Sequence, residues 1–218
     1  MTKITLKNKV KQIITILNEK YPEPKCALEH ITPWQLLVAT ILSAQCTDKR
    51  VNMITPALFK KFPTIESFAE ADIKELEKYI HSAGFYHNKA KNIINCATEL
   101  LNQYNGVLPQ TIDELTKLPG VGRKTANVLL GNAFGINEGI VVDTHVSRLS
   151  QKIGLTTNTD PEKIEKDLMK IVEKKHWTDF SHWLILHGRE TCIARRPKCE
   201  NCIISAQCDS FKTNYSLL

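Results

Sequence analysis

The chain has 218 residues, 42% of them hydrophobic, enough to build a real core in one large or two modest domains. Its 29 Lys and Arg stand against 23 Asp and Glu, a net charge of +6, and the pI is near 8.9. That balance admits a polyanionic partner without requiring one. Lysines at positions 3, 7, 9 and 11 interrupt the N-terminal apolar pattern, and the longest apolar stretch, Trp34 to Leu42, is too short to cross a bilayer. Neither signal peptide nor membrane anchor is expected, and in a reducing cytoplasm the seven cysteines are not a disulfide scaffold.

Helical periodicity runs through nearly every segment, and no long stretch alternates strictly, so the fold class is all-α. Val10, Ile13, Ile14 and Leu17 share one face of a first amphipathic helix that ends near Pro22 and Pro24. Thr32 is placed to cap the next helix, with Pro33 at its first position. This helix, through Trp34, Leu37, Val38, Ile41 and Leu42, is apolar nearly all round, which predicts a course through the core. It ends in a polar tip, Ser43 to Asp48.

Further helices are expected from Lys49 to Lys61, after Thr64, and from Asp72 to Gly84. Gly84, Phe85, Tyr86 and His87 read as a turn exposing aromatics, followed by a helix from Asn88 to Tyr104 that Asn105 and Gly106 terminate. A short helix around Ile112 to Lys117 and a second from Arg123 to Gly131 flank the turn LPGVG, which makes a helix–hairpin–helix. Asn137 to Gly139 is a plausible hinge, and Ile140 to Val142 is too short to imply a sheet. Helices are then expected from Asp143 towards Ile153, from Asp160 and Pro161, and from Phe180 to Thr191.

Three places carry chemistry. Gly120 and Gly122 flank Val121, so the backbone can turn tightly there and approach a ligand closely, and the helix that follows opens with unpartnered amides that attract phosphate. Lys124 lies on the first turn of that helix, and Asp143 is both a natural helix cap and a carboxylate able to stabilise developing positive charge. The strongest cluster is terminal: Cys192, Cys199, Cys202 and Cys208, spaced C-x6-C-x2-C-x5-C. Four thiolates so close can surround one metal centre. Chemistry alone leaves single zinc and an iron–sulfur cube both open. Arg195, Arg196 and Lys198 between the first two ligands form a basic loop suited to DNA phosphates. Cys26, Cys46 and Cys96 are isolated and read as small apolar fillers.

LPGVGRKTANVLLGNAFG, followed by VVDTHVSRL and HGRETCIARRPKCENCIISAQC, resembles the endonuclease III family, bacterial DNA glycosylases and abasic-site lyases of base-excision repair. LSAQCTDKRVN extends the likeness, which covers almost the whole chain. The resemblance implies a helical-hairpin domain of residues 24–136 and a second domain of residues 1–23 with 137–218, with DNA lying across the cleft between them. It implies a 4Fe–4S cluster on the four cysteines, Lys124 as nucleophile and Asp143 as catalytic carboxylate. Gln45 would enter the duplex where the flipped nucleotide stood, and Phe85, where the family often has leucine, would wedge the stack. Gly120, Val121, Gly122, Thr125, His145, Arg148, Arg195, Arg196 and Lys198 would contact the DNA. The implied partner is double-stranded DNA with damaged pyrimidines or abasic sites, bound by a monomeric, cytoplasmic, nucleoid-associated bacterial protein. A non-catalytic helix–hairpin–helix DNA binder and the adenine-removing sibling are the rivals; the sibling typically lacks the hairpin lysine.

Overall fold

A computed structural model describes residues 5–215, and among them all regular structure is helical. The chain divides into two compact units, Cys26–Ile136 and Met1–Lys25 with Asn137–Leu218. The first helix, α1 (Leu6–Lys20), is capped by the Thr5 hydroxyl and buries Val10, Ile13 and Leu17 on one stripe, as its periodicity predicts.

In the continuous unit, α2 (Pro33–Ser43) begins as the Thr32-Pro33 pair dictates and runs wholly buried from Leu36 to Leu42. Each Leu, Val or Ile side chain taken from water there contributes roughly 1.5–3 kcal/mol, which makes α2 the mast of this unit. Around it stand α3 (Asp48–Lys61), α4 (Ile65–Ala69) and α5 (Ile73–Ile80). Then follow α6 (Tyr86–Tyr104), α7 (Ile112–Leu115) and α8 (Arg123–Phe134). Trp34 and Phe62 both pack against Phe68, with ring centroids 5.5 Å and 5.3 Å from it.

Several boundaries differ from the sequence reading. The helix expected to reach Gly84 stops at Ile80 and tightens into a 3-10 turn, His81–Ala83. Helix α6 starts at Tyr86, two residues early, because Gly84 (φ 69°, ψ 153°) and left-handed Phe85 make the whole turn between them. Helix α8 passes Gly131 and ends at Gly135, whose φ of 67° supplies the left-handed stop.

In the other unit, α9 (Thr144–Ile153), α10 (Pro161–Ile171) and α11 (Trp177–Glu190) pack with α1 around Trp183 and Phe180. Helix α11 begins three residues before its expected start at Phe180. His176 gives it no side-chain cap, but Asn137 Oδ1 accepts from the Thr178 amide at 3.1 Å and hydroxyl at 2.6 Å. That cap comes from 41 residues away, so local sequence could not reveal it. Asn137, expected at a hinge, is thus pinned. After the cysteines a further short helix, α12 (Asp209–Tyr215), begins at Asp209, whose carboxylate pairs with the Lys9 ammonium at 2.7 Å.

Candidate active site and cysteine loop

The hairpin glycines do different jobs. Gly120 has φ +78°, and a Cβ there would lie 2.9 Å from Asn92 Cβ, so the fold itself demands glycine. Gly122 is extended (φ −91°, ψ 173°), and a Cβ there would meet nothing within 4 Å. The protein's own packing therefore does not explain its glycine, whereas close approach by an outside ligand would. As the first cap position of α8, Gly122 brings no side chain to satisfy the first-turn amides. Val121 is different again: its side chain is buried and its amide donates to the Leu118 carbonyl at 3.1 Å, which removes that amide from any phosphate grip. Lys124 is exposed on the first turn of α8, and its amine makes no hydrogen bond or ion pair among the described residues. Thr125, one position on, is half-buried.

Gln45 and Phe85 occupy two loop tips of the same unit. Both are exposed, Phe85 by 65%, and both hold left-handed backbone, φ 53° and 48°. Asn105, also positive at φ 51°, is explained by its place at the end of α6. For the other two, strain of about 1–3 kcal/mol per residue is retained at exposed tips, a pattern typical of functional segments. Phe85 makes no ring contact among the described residues; Tyr86 instead stacks on His81 and His87, with centroids 4.6 Å and 4.0 Å apart.

In the other unit Asp143 caps α9 as its position predicts: Oδ1 accepts from the His145 and Val146 amides, both at 2.8 Å. The carboxylate is thereby held still at a helix N-terminus, where negative charge is favoured. Burial pushes the His145 imidazole below its ordinary range, with Asp143 opposing the shift.

Arg148 is turned inward. Its Nη2 donates to the carbonyls of Gly188 (3.1 Å) and Cys192 (2.8 Å), which ties α9 to the start of the cysteine loop. Gly188 permits this, since a Cβ there would lie 2.9 Å from His145 Nδ1 and 3.2 Å from Arg148 Nη2. The role legible here is holding Cys192 in place, a signal that sequence alone does not carry.

The four cysteines lie in a loop built from two 3-10 turns, Cys199–Asn201 and Ser205–Gln207, beneath which Ile204 is buried. All four line one open-mouthed cavity, together with Lys152, Pro197 and Phe211. Among the described residues no three His, Cys, Asp or Glu side chains are gathered as they would be around a single metal ion. Four thiols lining one cavity are a donor set that suits either a single zinc or an iron–sulfur cube. Burial pushes the Cys202 thiol up to about 11, and His187 Nε2 lies 3.4 Å from its sulfur. Arg195, Arg196 and Lys198 project exposed from this loop. Of the remaining cysteines, Cys96 is buried in the core and Cys26 and Cys46 pack against it, as expected of apolar fillers.

Residues 38–174 match the family described as HhH-GPD superfamily base excision DNA repair protein. The chain is 52% identical to endonuclease III of Synechocystis sp. over 94% of its own length and 93% of that protein's. It is 43% identical to endonuclease III of Escherichia coli over 93% and 96%. A solved non-covalent endonuclease III–DNA complex superposes with a TM-score of 0.90 at 40% identity, covering 99% of this chain and all of that one. A trapped endonuclease III–DNA covalent intermediate gives the same score at 40% identity over 98% and 99%. The chain belongs to the HhH-GPD superfamily of base excision DNA repair proteins and, within it, to the endonuclease III family.

Proposed function

We propose that this member of the family removes oxidised pyrimidines from duplex DNA through a Schiff base on Lys124 and then cuts the strand 3′ to the abasic site by β-elimination. The activity class is DNA glycosylase and AP lyase. The observation that carries the lysine assignment is an exposed amine, without an internal partner, on the first turn of a helix whose entry glycine is not required by packing.

A damaged pyrimidine stacks weakly and is flipped out at low cost. The neutral Lys124 amine attacks C1′ of its sugar as the glycosidic bond breaks; the sugar ring opens and the nitrogen remains bonded to C1′ as an imine. Loss of the C2′ proton then expels the 3′ phosphate. Asp143, fixed by its two amide bonds, stabilises positive charge on the sugar and moves protons as the base departs. Gly122 and the amides opening α8 grip a phosphate, a contact that positions the duplex without reading sequence. Gln45 fills the place of the flipped nucleotide and Phe85 wedges the stack. Arg195, Arg196 and Lys198 add backbone attraction. Arg148 is assigned to the loop rather than to DNA, because two carbonyls already hold it.

The four cysteines are read as ligands of a 4Fe–4S cluster, which when bound cross-links a loop that has little core of its own. The protein acts as a monomer in the bacterial cytoplasm, associated with the nucleoid; no helix among the described residues is long and apolar enough to cross a membrane. Borohydride trapping on a duplex with one abasic site tests the assignment. The wild type is expected to form a covalent protein–DNA adduct and Lys124→Ala none; equal trapping by both would remove Lys124 as nucleophile.

A further inference from the structure

Lys89 is buried, 5% exposed, yet it lies in the first turns of α6 rather than beside any carboxylate partner in the structure's ion pairs. Its ammonium donates to three carbonyls: Leu42 at 2.8 Å, Ala44 at 2.7 Å and Ala83 at 2.9 Å. An ammonium has three donors, and here each has one acceptor. Two of these carbonyls belong to the C-terminal end of α2, where helix carbonyls lack partners and the dipole favours a cation. The third closes the 3-10 turn before Gly84. Ala44 immediately precedes Gln45, and Ala83 lies two residues before Phe85. One cation thus joins the roots of two separate loops whose tips both hold left-handed backbone.

We propose that Lys89 is a positioning residue that fixes the Gln45 loop and the Phe85 loop to each other, so that both tips enter a damaged duplex in register. The spacing of the two probes is set by a buried ammonium and not by contact between the probes themselves. Neither loop can supply this alone: three carbonyls from two segments meet, and only a long side chain with several donors satisfies all of them. Without the ammonium, buried carbonyls lose their partners, which frees the loops to move independently. The inference rests on the reading of Gln45 and Phe85 as the groups that enter DNA.

The test is a coupling experiment on duplex carrying one oxidised pyrimidine, with Lys89→Met and Lys89→Gln made in the wild type and in a Gln45→Ala/Phe85→Ala background. Circular dichroism and a melting curve accompany each protein. In the wild-type background Lys89→Met is expected to lose roughly tenfold to a hundredfold in kcat/KM. In the double-alanine background the same change should lose little more, because the loops it positions no longer carry their probes. Borohydride trapping on a single-stranded abasic site, which needs no wedge, should stay near wild type for Lys89→Met. A full multiplicative loss in both backgrounds, or full activity in Lys89→Met while the double-alanine protein is impaired, would overturn the Lys89 role alone. A double-alanine protein as active as wild type would instead overturn the reading of the loops, and absent trapping by wild type the lysine chemistry. Should Lys89→Met fail to fold, Lys89→Gln, which retains two donors, carries the same comparison; failure of both to fold would make Lys89 a core residue and end the proposal.

Discussion

The two units of this chain are held together by different means. Residues 26–136 come from one continuous stretch and close on an apolar core centred on α2, so that the Gln45 and Phe85 loops hang from a dry framework. The other unit is assembled from both parts of the chain that flank it and finishes in the loop from Cys192 to Cys208, where Ile204 is the buried apolar anchor. In the first, position is set by burial and by one buried ammonium. In the second, order near the cysteines depends on Arg148, on backbone turns and on whatever the thiols hold. A site placed on a core survives chemical insult, whereas one placed on ligation can be dismantled by it.

The largest effect expected from this contrast follows loss of the proposed cluster. Cys202→Ser should abolish the visible iron–sulfur absorption and lower the melting temperature of its own unit by roughly 10 °C or more, since metal binding is folding free energy there. Hydrogen exchange in α2 should hardly change. Collapse of protection in both units together would show that the contrast is false, and a colourless wild type with one bound zinc would replace the cluster.

Next come the two hairpin glycines, which separate fold from function within one turn. Gly120→Ala must place a Cβ against Asn92 at positive φ and should cost about 2 kcal/mol or more of stability in denaturant titration. Gly122→Ala should change stability by less than about 0.5 kcal/mol. It should nonetheless weaken binding to an uncleavable abasic duplex by about fivefold, the weight of one hydrogen bond. Equal effects on stability would contradict the assignment of Gly122 to the ligand.

Asp143→Ala removes a cap that serves two amides and should cost about 1 kcal/mol of stability. Turnover should fall by roughly a hundredfold with DNA affinity nearly intact. A variant that merely melts earlier, at unchanged turnover, would reduce Asp143 to its capping role.

The smallest effect concerns acid. Burial holds His145 and His182 below the ordinary value of 6.5, so as pH falls through that value the unfolded chain takes up protons before the folded one does. Their contribution is complete above pH 6.5 and is lost progressively below it. The melting temperature of the cysteine-bearing unit should decline between about pH 6.5 and 5, before carboxylates titrate, and His182→Gln should flatten that slope. An unchanged slope in the variant would assign the acid sensitivity elsewhere.

Much of this molecule was determined by sequence acting locally. Thr32 with Pro33, Asp143 and Asp160 each cap the helix they precede, because a short oxygen-bearing side chain reaches amides two or three residues ahead whatever the rest of the chain does. The buried character of α2 and the stripe on α1 follow from periodicity for the same reason. The motifs LPGVGRKTA and C-x6-C-x2-C-x5-C are equally legible, as fixed spacings of chemically distinctive residues. Tertiary structure alone decided the rest. It gave α11 a cap from Asn137, turned Arg148 inward onto Cys192 and buried Lys89 between two loops. Each of these is a polar group meeting a partner that lies elsewhere in the chain or is committed by the fold. Periodicity records which side chains leave water, but not which distant carbonyl satisfies a buried donor once they have left.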